Sequence, residues 1–450
     1  MIERWRASGR AVAVIGLARS GVAATLLLRD RGVPVYASDA GSTTKLAEAA
    51  RSLSASGADV ELGRHDLTRI AAAEAVVVSP GVPPNAAPLA AAREAGVPVH
   101  AEVDVGFTEL RGTKAIAITG TNGKTTTTSL VAHLLTAAGV RAEAAGNIGR
   151  PLCEMVRAGD APAWVALELS SFQLHDAPHL DPAVGVLTNL APNHLDRYES
   201  LEEYYGDKAR LFANAGPDSA WVTNADDAAV EAMADGVPGT HLHFSTARRA
   251  EGWFDRDRAR LMLGDSPLLP RGELSLLGDH NVSNALAAAL AVERAGVDRT
   301  AIAGGLRTFR AILHRVEPVA EVDGVLWVND SKSTNVTSTE VAIAALDRPF
   351  VLLLGGRHKG EPYTRLAPLL RDRCRGVVAY GEAQPLIVRN LSDQVPVITA
   401  ESFEEVLATA RRLARRGDAV LLSPACSSYD MFDNYEQRGD RFRAAVEAMQ

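Results

Sequence analysis

The residues Gly120-Thr121-Asn122-Gly123-Lys124-Thr125-Thr126 could grip a polyphosphate. Such a grip needs backbone N–H groups turned inward, which glycines permit. It needs a lysine that reaches the terminal phosphates, and a hydroxyl on the first helical turn to hold Mg²⁺. Gly120, Gly123, Lys124 and Thr125 supply all of these. The usual spacing, G-x-x-x-x-G-K-[ST], would put its first glycine at position 118, where Ile118 stands; the glycine here is two residues later. The competing reading is a Thr/Gly-rich turn with a solvated lysine. A strand before the loop (Lys114 to Thr119) and a helix after it favour the phosphate site, since the helix N-terminus adds an anion preference of ~0.3–1 kcal/mol.

Two further groups could share its chemistry. Glu168 ends the apolar run Trp164-Val165-Ala166-Leu167, and His194 and Asp196 follow the run that ends at Thr188-Asn189. In a parallel sheet, ligands collect at the carboxyl ends of strands, so both segments are expected beside the loop. Mg²⁺ prefers oxygen, so Thr125, Glu168 and phosphate oxygens suffice for one ion, while His194 could serve a second. Each also has a bland reading, Glu168 as a strand-end surface acid and His194 as a loop histidine. Lys208, inside a helix expected from Ser200-Leu201-Glu202-Glu203 onward, reads by itself as a solvated helix lysine.

These groups need a scaffold. The chain alternates short β-branched runs, glycine turns and helical stretches, which predicts an α/β protein of parallel sheets flanked by helices. At 450 residues it has room for about three domains of ~150 residues. Boundaries are expected near 112 and 312. Strands are expected at Val33 to Ala37 and Val395 to Thr399, among others, and a helix from about Gly21 to Asp30. In the first block, Gly16-Leu17-Ala18-Arg19-Ser20-Gly21 is a degenerate G-x-G-x-x-G, and Asp39 lies 23 residues past Gly16. A dinucleotide fold puts its ribose-binding acid at that distance, so a nicotinamide-dependent dehydrogenase is a rival reading. It leaves the loop at 120–126 unexplained. A nucleotide switch would want N-K-x-D, and Thr223-Asn224-Ala225-Asp226 falls short.

Composition narrows the class. With 47% hydrophobic and 23% charged residues the chain is an ordinary globular protein. A net charge of −8 without a basic block argues against nucleic acid as partner. No apolar stretch is long enough for a membrane span, and the start Met1-Ile2-Glu3-Arg4-Trp5-Arg6 lacks the order of a signal peptide. Cys153, Cys374 and Cys426 lie far apart without metal spacing, which suits a reducing cytoplasm.

The loop T-G-T-N-G-K-[ST] with its displaced glycine resembles that of the Mur ligase and folylpolyglutamate synthetase superfamily. The resemblance extends along the chain: Gly146-Asn147-Ile148-Gly149, Leu277 to Ala285 (L-G-D-H-N-V-S-N-A), His314-Arg315, Asn329 to Asn335 (N-D-S-K-S-T-N) and Leu422 to Gly439 all match family segments. It implies three domains: a Rossmann-like one over 1–112 for a UDP substrate, a P-loop-type mononucleotide-binding ATPase domain over 113–312, and a Rossmann-like one over 313–450 for an amino acid. The last two segments are similar to the branch that joins D-glutamate to UDP-N-acetylmuramoyl-L-alanine for peptidoglycan synthesis. That implies ATP-dependent amide formation through an acyl phosphate, with ATP and two Mg²⁺ ions, in a cytoplasmic monomer.

Site residues follow from the same resemblance. Gly120 to Thr126, Asn281, Asn284, Arg315 and Asp330 would meet ATP. Thr125, Glu168, His194 and Lys208 would hold metal, with Lys208 carbamylated. Gly16, Leu17, Ala18, Arg19, Ser20, Gly21, Ser38, Asp39, Ser79, Pro80, Gly81 and Asn147 would meet the UDP substrate. Lys332, Thr334, Lys359, Ser428 and Tyr435 would surround D-glutamate; Tyr435 stands where phenylalanine is more usual in the family.

Overall fold

The run Val12–Ile15 is buried at every position, because a strand covered by helices on both faces has no polar side to show. In the computed structural model it is β1, the centre of a sheet with β2 (Val35–Asp39), β3 (Asp59–Leu62), β4 (Ala75–Val78) and β5 (Val99–Ala101). The order is β3-β2-β1-β4-β5, all parallel. The strand order reverses at β1, and the crevice beyond the carboxyl ends there is where such sheets take ligands. Residues 1–193 and 197–450 are described.

A second sheet contains β6 (Lys114–Thr119), β7 (Ala142–Gly146), β8 (Trp164–Glu168), β9 (Val184–Leu187), β10 (Ala220–Asn224), β11 (Thr240–Ser245), β12 (Gly252–Asp255), β13 (Arg260–Leu263) and β14 (Ser266–Pro270), in the order β14-β13-β12-β11-β10-β9-β6-β8-β7. Ile116, Ala117 and Ile118 of β6 are fully buried; each such isoleucine contributes about 1.5–3 kcal/mol over an exposed one. A third sheet contains β15 (Glu317–Val322), β16 (Val325–Asn329), β17 (Phe350–Gly355), β18 (Cys374–Tyr380), β19 (Val397–Ala400) and β20 (Ala419–Leu422), ordered β15-β16-β20-β17-β18-β19. The chain packs as two compact units: Met1–Glu273 with Ser283–Thr308, holding the first two sheets, and Leu274–Val282 with Phe309–Gln450, holding the third. No helix among the described residues is long and apolar enough to cross a membrane.

The α/β architecture is as expected, with local departures. The sheets are not wholly parallel: β12, β13 and β14 form an antiparallel meander, and β15 is antiparallel to β16. Short connections leave no room for the crossover that a parallel pair needs. Between β15 and β16 the turn is Asp323-Gly324, both at positive φ (54° and 79°), the pairing that closes a tight hairpin. β2 and β19 start two residues later than expected, after Pro34 and Pro396. Each proline still accepts from a neighbouring strand through its carbonyl but has no N–H to donate. The helix expected from Gly21 starts at Arg19.

Candidate active site

The carboxyl edge of the second sheet gathers the loop at 120–126 and Glu168. Ile118 pairs with Glu168 across β6 and β8, Thr119 with Leu187 across β6 and β9, and Gly146 with Glu168 across β7 and β8. Register alone therefore sets the loop at 120–123, Glu168, Asn147 and Thr188 at one edge.

The loop is tied down by the segment after β9. Thr121 N donates to Asn189 O at 2.8 Å and Asn122 N to Asn189 Oδ1 at 2.9 Å. Thr188 Oγ1 donates to Asn122 O at 2.7 Å, and Thr121 Oγ1 to Ala191 O at 3.1 Å. Gly120 and Gly123 are required by shape: their φ angles are +143° and +79°, and an added Cβ would lie 2.0 Å from Thr188 Oγ1 or 2.3 Å from Asn284 Oδ1. Gly123 is the N-cap of the helix Lys124–Ala137 and offers no side-chain cap. The N–H groups of the first turn thus have no intrahelical acceptor, the arrangement that receives an anion. Thr125, half-buried, and the buried Thr126 stand on that turn.

Two lysines meet at the loop. Lys124 Nζ donates to the carbonyls of Gly120 and Thr121, both at 2.9 Å. Lys208, on the helix Leu201–Ala209, is 1% exposed and donates to the same Gly120 carbonyl at 2.8 Å. Its ammonium also lies 4.7 Å from the centre of the Tyr204 ring. Burial holds the Lys208 amine well below the ordinary lysine range, and the positive charge of Lys124 lowers it further; Asp207 opposes both. Asp207 is itself fixed by His175 Nδ1 at 2.7 Å and by the Tyr198 hydroxyl at 3.0 Å. Ser200 caps the helix, its hydroxyl accepting from Glu203 N, while the Glu203 carboxylate accepts from Glu199 N.

Glu168 is 2% exposed. Its Oε1 accepts from Asn147 Nδ2 at 2.8 Å, while its buried Oε2 has no hydrogen-bond partner among the described residues. A buried carboxylate oxygen left without a donor is costly unless a cation completes it. With the Thr125 hydroxyl on the first helical turn, this donor set fits Mg²⁺, which takes oxygen ligands and keeps several waters. His194 and Asp196 lie outside the described residues. Asn284 accepts from Thr127 Oγ1 at 3.3 Å within the first unit. Asn281, in the second unit, donates from Nδ2 to Leu277 O at 2.8 Å.

The first sheet presents a second edge. Ile15 pairs with Ser38 and with Val78, so Gly16–Gly21, Ser38-Asp39 and Ser79-Pro80-Gly81 share the carboxyl ends of β1, β2 and β4. Asp39 is engaged with the turn itself: Oδ2 accepts from Leu17 N at 2.7 Å and Oδ1 from Gly41 N at 2.8 Å. Ser79 Oγ donates to Gly16 O at 2.7 Å, and Ser38 Oγ contacts His65 Nδ1 at 2.9 Å. Arg19 reaches the carbonyl of Gly149, next to the Asn147 segment, at 2.8 Å.

In the second unit, β16, β20 and β17 pair so that Asn329 and Leu353 both face Leu422. Asp330 to Thr334, Ser423 to Ser428 and Gly356 to Lys359 therefore follow one sheet edge. Lys359 Nζ donates to Thr334 Oγ1 at 3.1 Å, and Lys332 Nζ lies 5.8 Å from the Tyr435 ring centre. Ser428 is buried and Tyr435 opens the last helix, Tyr435–Glu447. Asp330 is buried, with Oδ1 accepting from Val316 N at 3.1 Å and Oδ2 from Ser423 Oγ at 2.7 Å; burial pushes its carboxyl up to about 6. Arg315, next to Val316 in sequence, is half-buried.

Sequence reasoning missed the residues that hold these groups in place. Thr188 and Asn189 latch the phosphate loop. Arg438 is fully buried and joins Ser331 to the Cys426 carbonyl, with Nη2 donating to Ser331 O at 2.8 Å and to Cys426 O at 3.3 Å. His314, read in the sequence only as part of the His314-Arg315 pair, stands at φ +62° and packs on Asn329, Nδ1 to Nδ2 3.0 Å. For Thr188 and Asn189 the available signal was polar residues directly after the apolar strand Val184–Leu187.

Comparisons with known proteins agree with this geometry. The family model described as the Mur ligase middle domain matches residues 118–292, the Mur ligase glutamate ligase domain matches 314–426, and the MurD-like N-terminal domain of Mur ligases matches 10–101. The chain is similar to the UDP-N-acetylmuramoylalanine–D-glutamate ligase of Acidobacterium capsulatum, 41% identical over 97% of this chain and 96% of that one. It is likewise similar to the enzyme of that name from Geobacter metallireducens, 40% identical over 98% of each chain. Among solved structures it shares its fold with the UDP-N-acetylmuramate-alanine ligase MurC of Thermotoga maritima, at a TM-score of 0.60 and 19% identity over 98% of this chain and all (100%) of that one. A pseudomurein peptide ligase of Methanothermus fervidus has the same fold at a TM-score of 0.58, with 19% identity over 98% and 100% of the two chains. The chain belongs to the Mur ligase family.

Proposed function

We propose that this enzyme joins D-glutamate to UDP-N-acetylmuramoyl-L-alanine at the expense of ATP, forming an amide, ADP and phosphate in peptidoglycan precursor synthesis. The observation that carries the reading is the convergence of the loop 120–126, the orphaned Glu168 carboxylate oxygen and buried Lys208 at one sheet edge. A nicotinamide-dependent dehydrogenase would have no use for that edge.

The alanyl carboxylate attacks the γ-phosphoryl group of ATP, giving an acyl phosphate and ADP. Lys124 and the first-turn N–H groups lower the barrier by standing already in place for the negative charge of the transferring phosphoryl group in the transition state. Thr125 and Glu168 would hold Mg²⁺, which supplies charge neutralisation at the phosphates. Lys208, once carbamylated, and His194 complete the proposed set for a second ion. The neutral amine of D-glutamate attacks the acyl carbon, and the tetrahedral adduct collapses to amide and phosphate. Lys332, Lys359, Thr334, Ser428 and Tyr435 form the proposed D-glutamate pocket, where a dicarboxylate needs cationic and hydroxyl donors. Gly16 to Gly21, Ser38, Asp39, Ser79 to Gly81 and Asn147 form the proposed UDP-substrate site. Asn281, Asn284, Arg315 and Asp330 are assigned to the nucleotide. We assign domains to 1–112, 113–312 and 313–450, a monomeric state and the cytoplasm.

The test is phosphate release with ATP and UDP-N-acetylmuramoyl-L-alanine fixed and the amino acid varied. D-Glutamate alone should support turnover. Turnover with another amino acid and none with D-glutamate would reassign the enzyme to another amino-acid-adding branch.

A further inference from the structure

Away from the phosphate edge, in the first unit, two imidazoles close on one carboxylate. Asp104, on the helix Glu102–Glu109, is fully buried. Its Oδ2 lies 2.9 Å from Nδ1 of His100, in the middle of β5, and 2.9 Å from Nδ1 of His179, in the segment before β9. Its Oδ1 accepts from the His179 backbone N–H at 2.9 Å. The two rings stack with centroids 5.6 Å apart, and Trp5 packs on His100 at the same distance. The ligase mechanism uses none of these groups.

We propose that His100, Asp104 and His179 bind a transition-metal cation of the Zn²⁺ class, at a site separate from the magnesium site. Two nitrogens and one oxygen suit Zn²⁺, Co²⁺ or Ni²⁺, whereas Mg²⁺ wants oxygen throughout. The three ligand atoms lie within 4.8 Å of one another. Around a tetrahedral zinc at ~2.0–2.1 Å, neighbouring ligand atoms sit roughly 3.3 Å apart. The two nitrogen–oxygen gaps of 2.9 Å therefore need to open only a little.

The protons balance without a co-reactant. Each ring sets Nδ1 2.9 Å from the carboxylate. Ligation through Nδ1 takes the tautomer that carries its hydrogen on Nε2, so two imidazoles, one carboxylate and the cation form the complex with no bond made or broken beyond those to the metal. The backbone N–H on Oδ1 orients the carboxylate, as partners of ligand carboxylates do in metal sites. His179 has a side chain 51% exposed, which gives the ion a way in and leaves a fourth position for water. Bound there, the ion would fasten β5 to the 176–183 segment, whose Asp176 carbonyl already accepts from Ala101 N at 2.6 Å.

The experiment uses the full chain, stripped with chelator and dialysed into excess Mg²⁺. Zn²⁺ is titrated against a chromophoric chelator, and Co²⁺ is followed by its visible absorption. The variants are His179→Ala, with His179→Gln in reserve should the first fail to fold, and Glu168→Gln to silence the magnesium site. Wild type and Glu168→Gln should each bind one equivalent of Zn²⁺ and give the intense bands of four-coordinate cobalt. His179→Ala or His179→Gln should bind at least tenfold more weakly and lose the bands. Zinc binding equal in wild type and the His179 variants, or no zinc binding by wild type in excess Mg²⁺, overturns the proposal and leaves the triad a hydrogen-bonded clamp.

Discussion

The ammonium groups of Lys124 and Lys208 converge on a single carbonyl oxygen, that of Gly120, at 2.9 and 2.8 Å. Two cations sharing one neutral acceptor repel, and burial falls on Lys208, whose amine is held well below its ordinary range by desolvation first and by Lys124 second. A neutral amine is the form that adds CO₂. The product is an anion beside Lys124, so the addition converts a repulsion into an attraction.

Carbamylation of Lys208 is therefore expected near neutral pH. Isotope-labelled bicarbonate should give a carbamate carbon signal in the wild type and none in Lys208→Arg, which should also lose activity by a hundredfold or more, the scale of losing a preorganised charge partner. At fixed dissolved CO₂ the modified fraction should rise with pH, since fewer amines are protonated. A fully active Lys208→Arg enzyme would count against a carboxylate role at this position.

Glu168→Gln separates a metal ligand from a structural acid. The substituted amide can still accept from Asn147 Nδ2, and the change removes a buried negative oxygen that has no donor among the described residues. Thermal stability should hold or rise, because a buried unpaired charge is destabilising. Turnover should fall about a hundredfold or more at saturating Mg²⁺. Lost stability with retained turnover would mark Glu168 as scaffold.

Gly123→Ala should damage the loop rather than the core. The added methyl would lie 2.3 Å from Asn284 Oδ1 at a backbone φ of +79°. Strain of ~1–3 kcal/mol is expected, together with loss of ATP affinity in equilibrium binding. Unchanged ATP binding would mean the phosphates sit elsewhere.

Glu102 supplies a pH prediction. It is fully buried, its Oε1 accepts from Cys153 N at 2.7 Å, its Oε2 has no partner among the described residues, and burial pushes its carboxyl up from 4.5 to about 7. The folded state thus holds a proton that the unfolded state has released between those values. Stability contributed by this group is full below about 4.5 and is lost as pH rises towards about 7. Glu102→Gln keeps the acceptor and removes the titration. Denaturant unfolding should show the variant gaining on wild type across that window, by on the order of 1–3 kcal/mol at pH 8. Parallel curves at all pH values would contradict this.

Much of this was legible because backbone geometry dictates residue type. Gly120 and Gly123 sit where no side chain fits, so the loop announced itself. Glu168 was legible as the last residue of an apolar run, and parallel register then carried it to the loop. Pro34 and Pro396 displaced strand starts because a strand's hydrophobic pattern runs through a residue that cannot donate. The Asp323-Gly324 hairpin had a readable turn signal that the α/β grammar overrode. The burial of Lys208, the grip of Thr188 and Asn189 on the loop and the buried Arg438 depend on contacts between distant segments, which periodicity does not encode.

The acyl-phosphate route has one decisive readout. A heavy-oxygen label placed in the alanyl carboxylate of the UDP substrate should, after a single turnover with ATP and D-glutamate, appear in the released inorganic phosphate, one labelled oxygen per phosphate. Unlabelled phosphate, with both carboxylate oxygens retained in the substrate, would mean that water rather than the carboxylate attacks ATP, and the amide-forming account would fail.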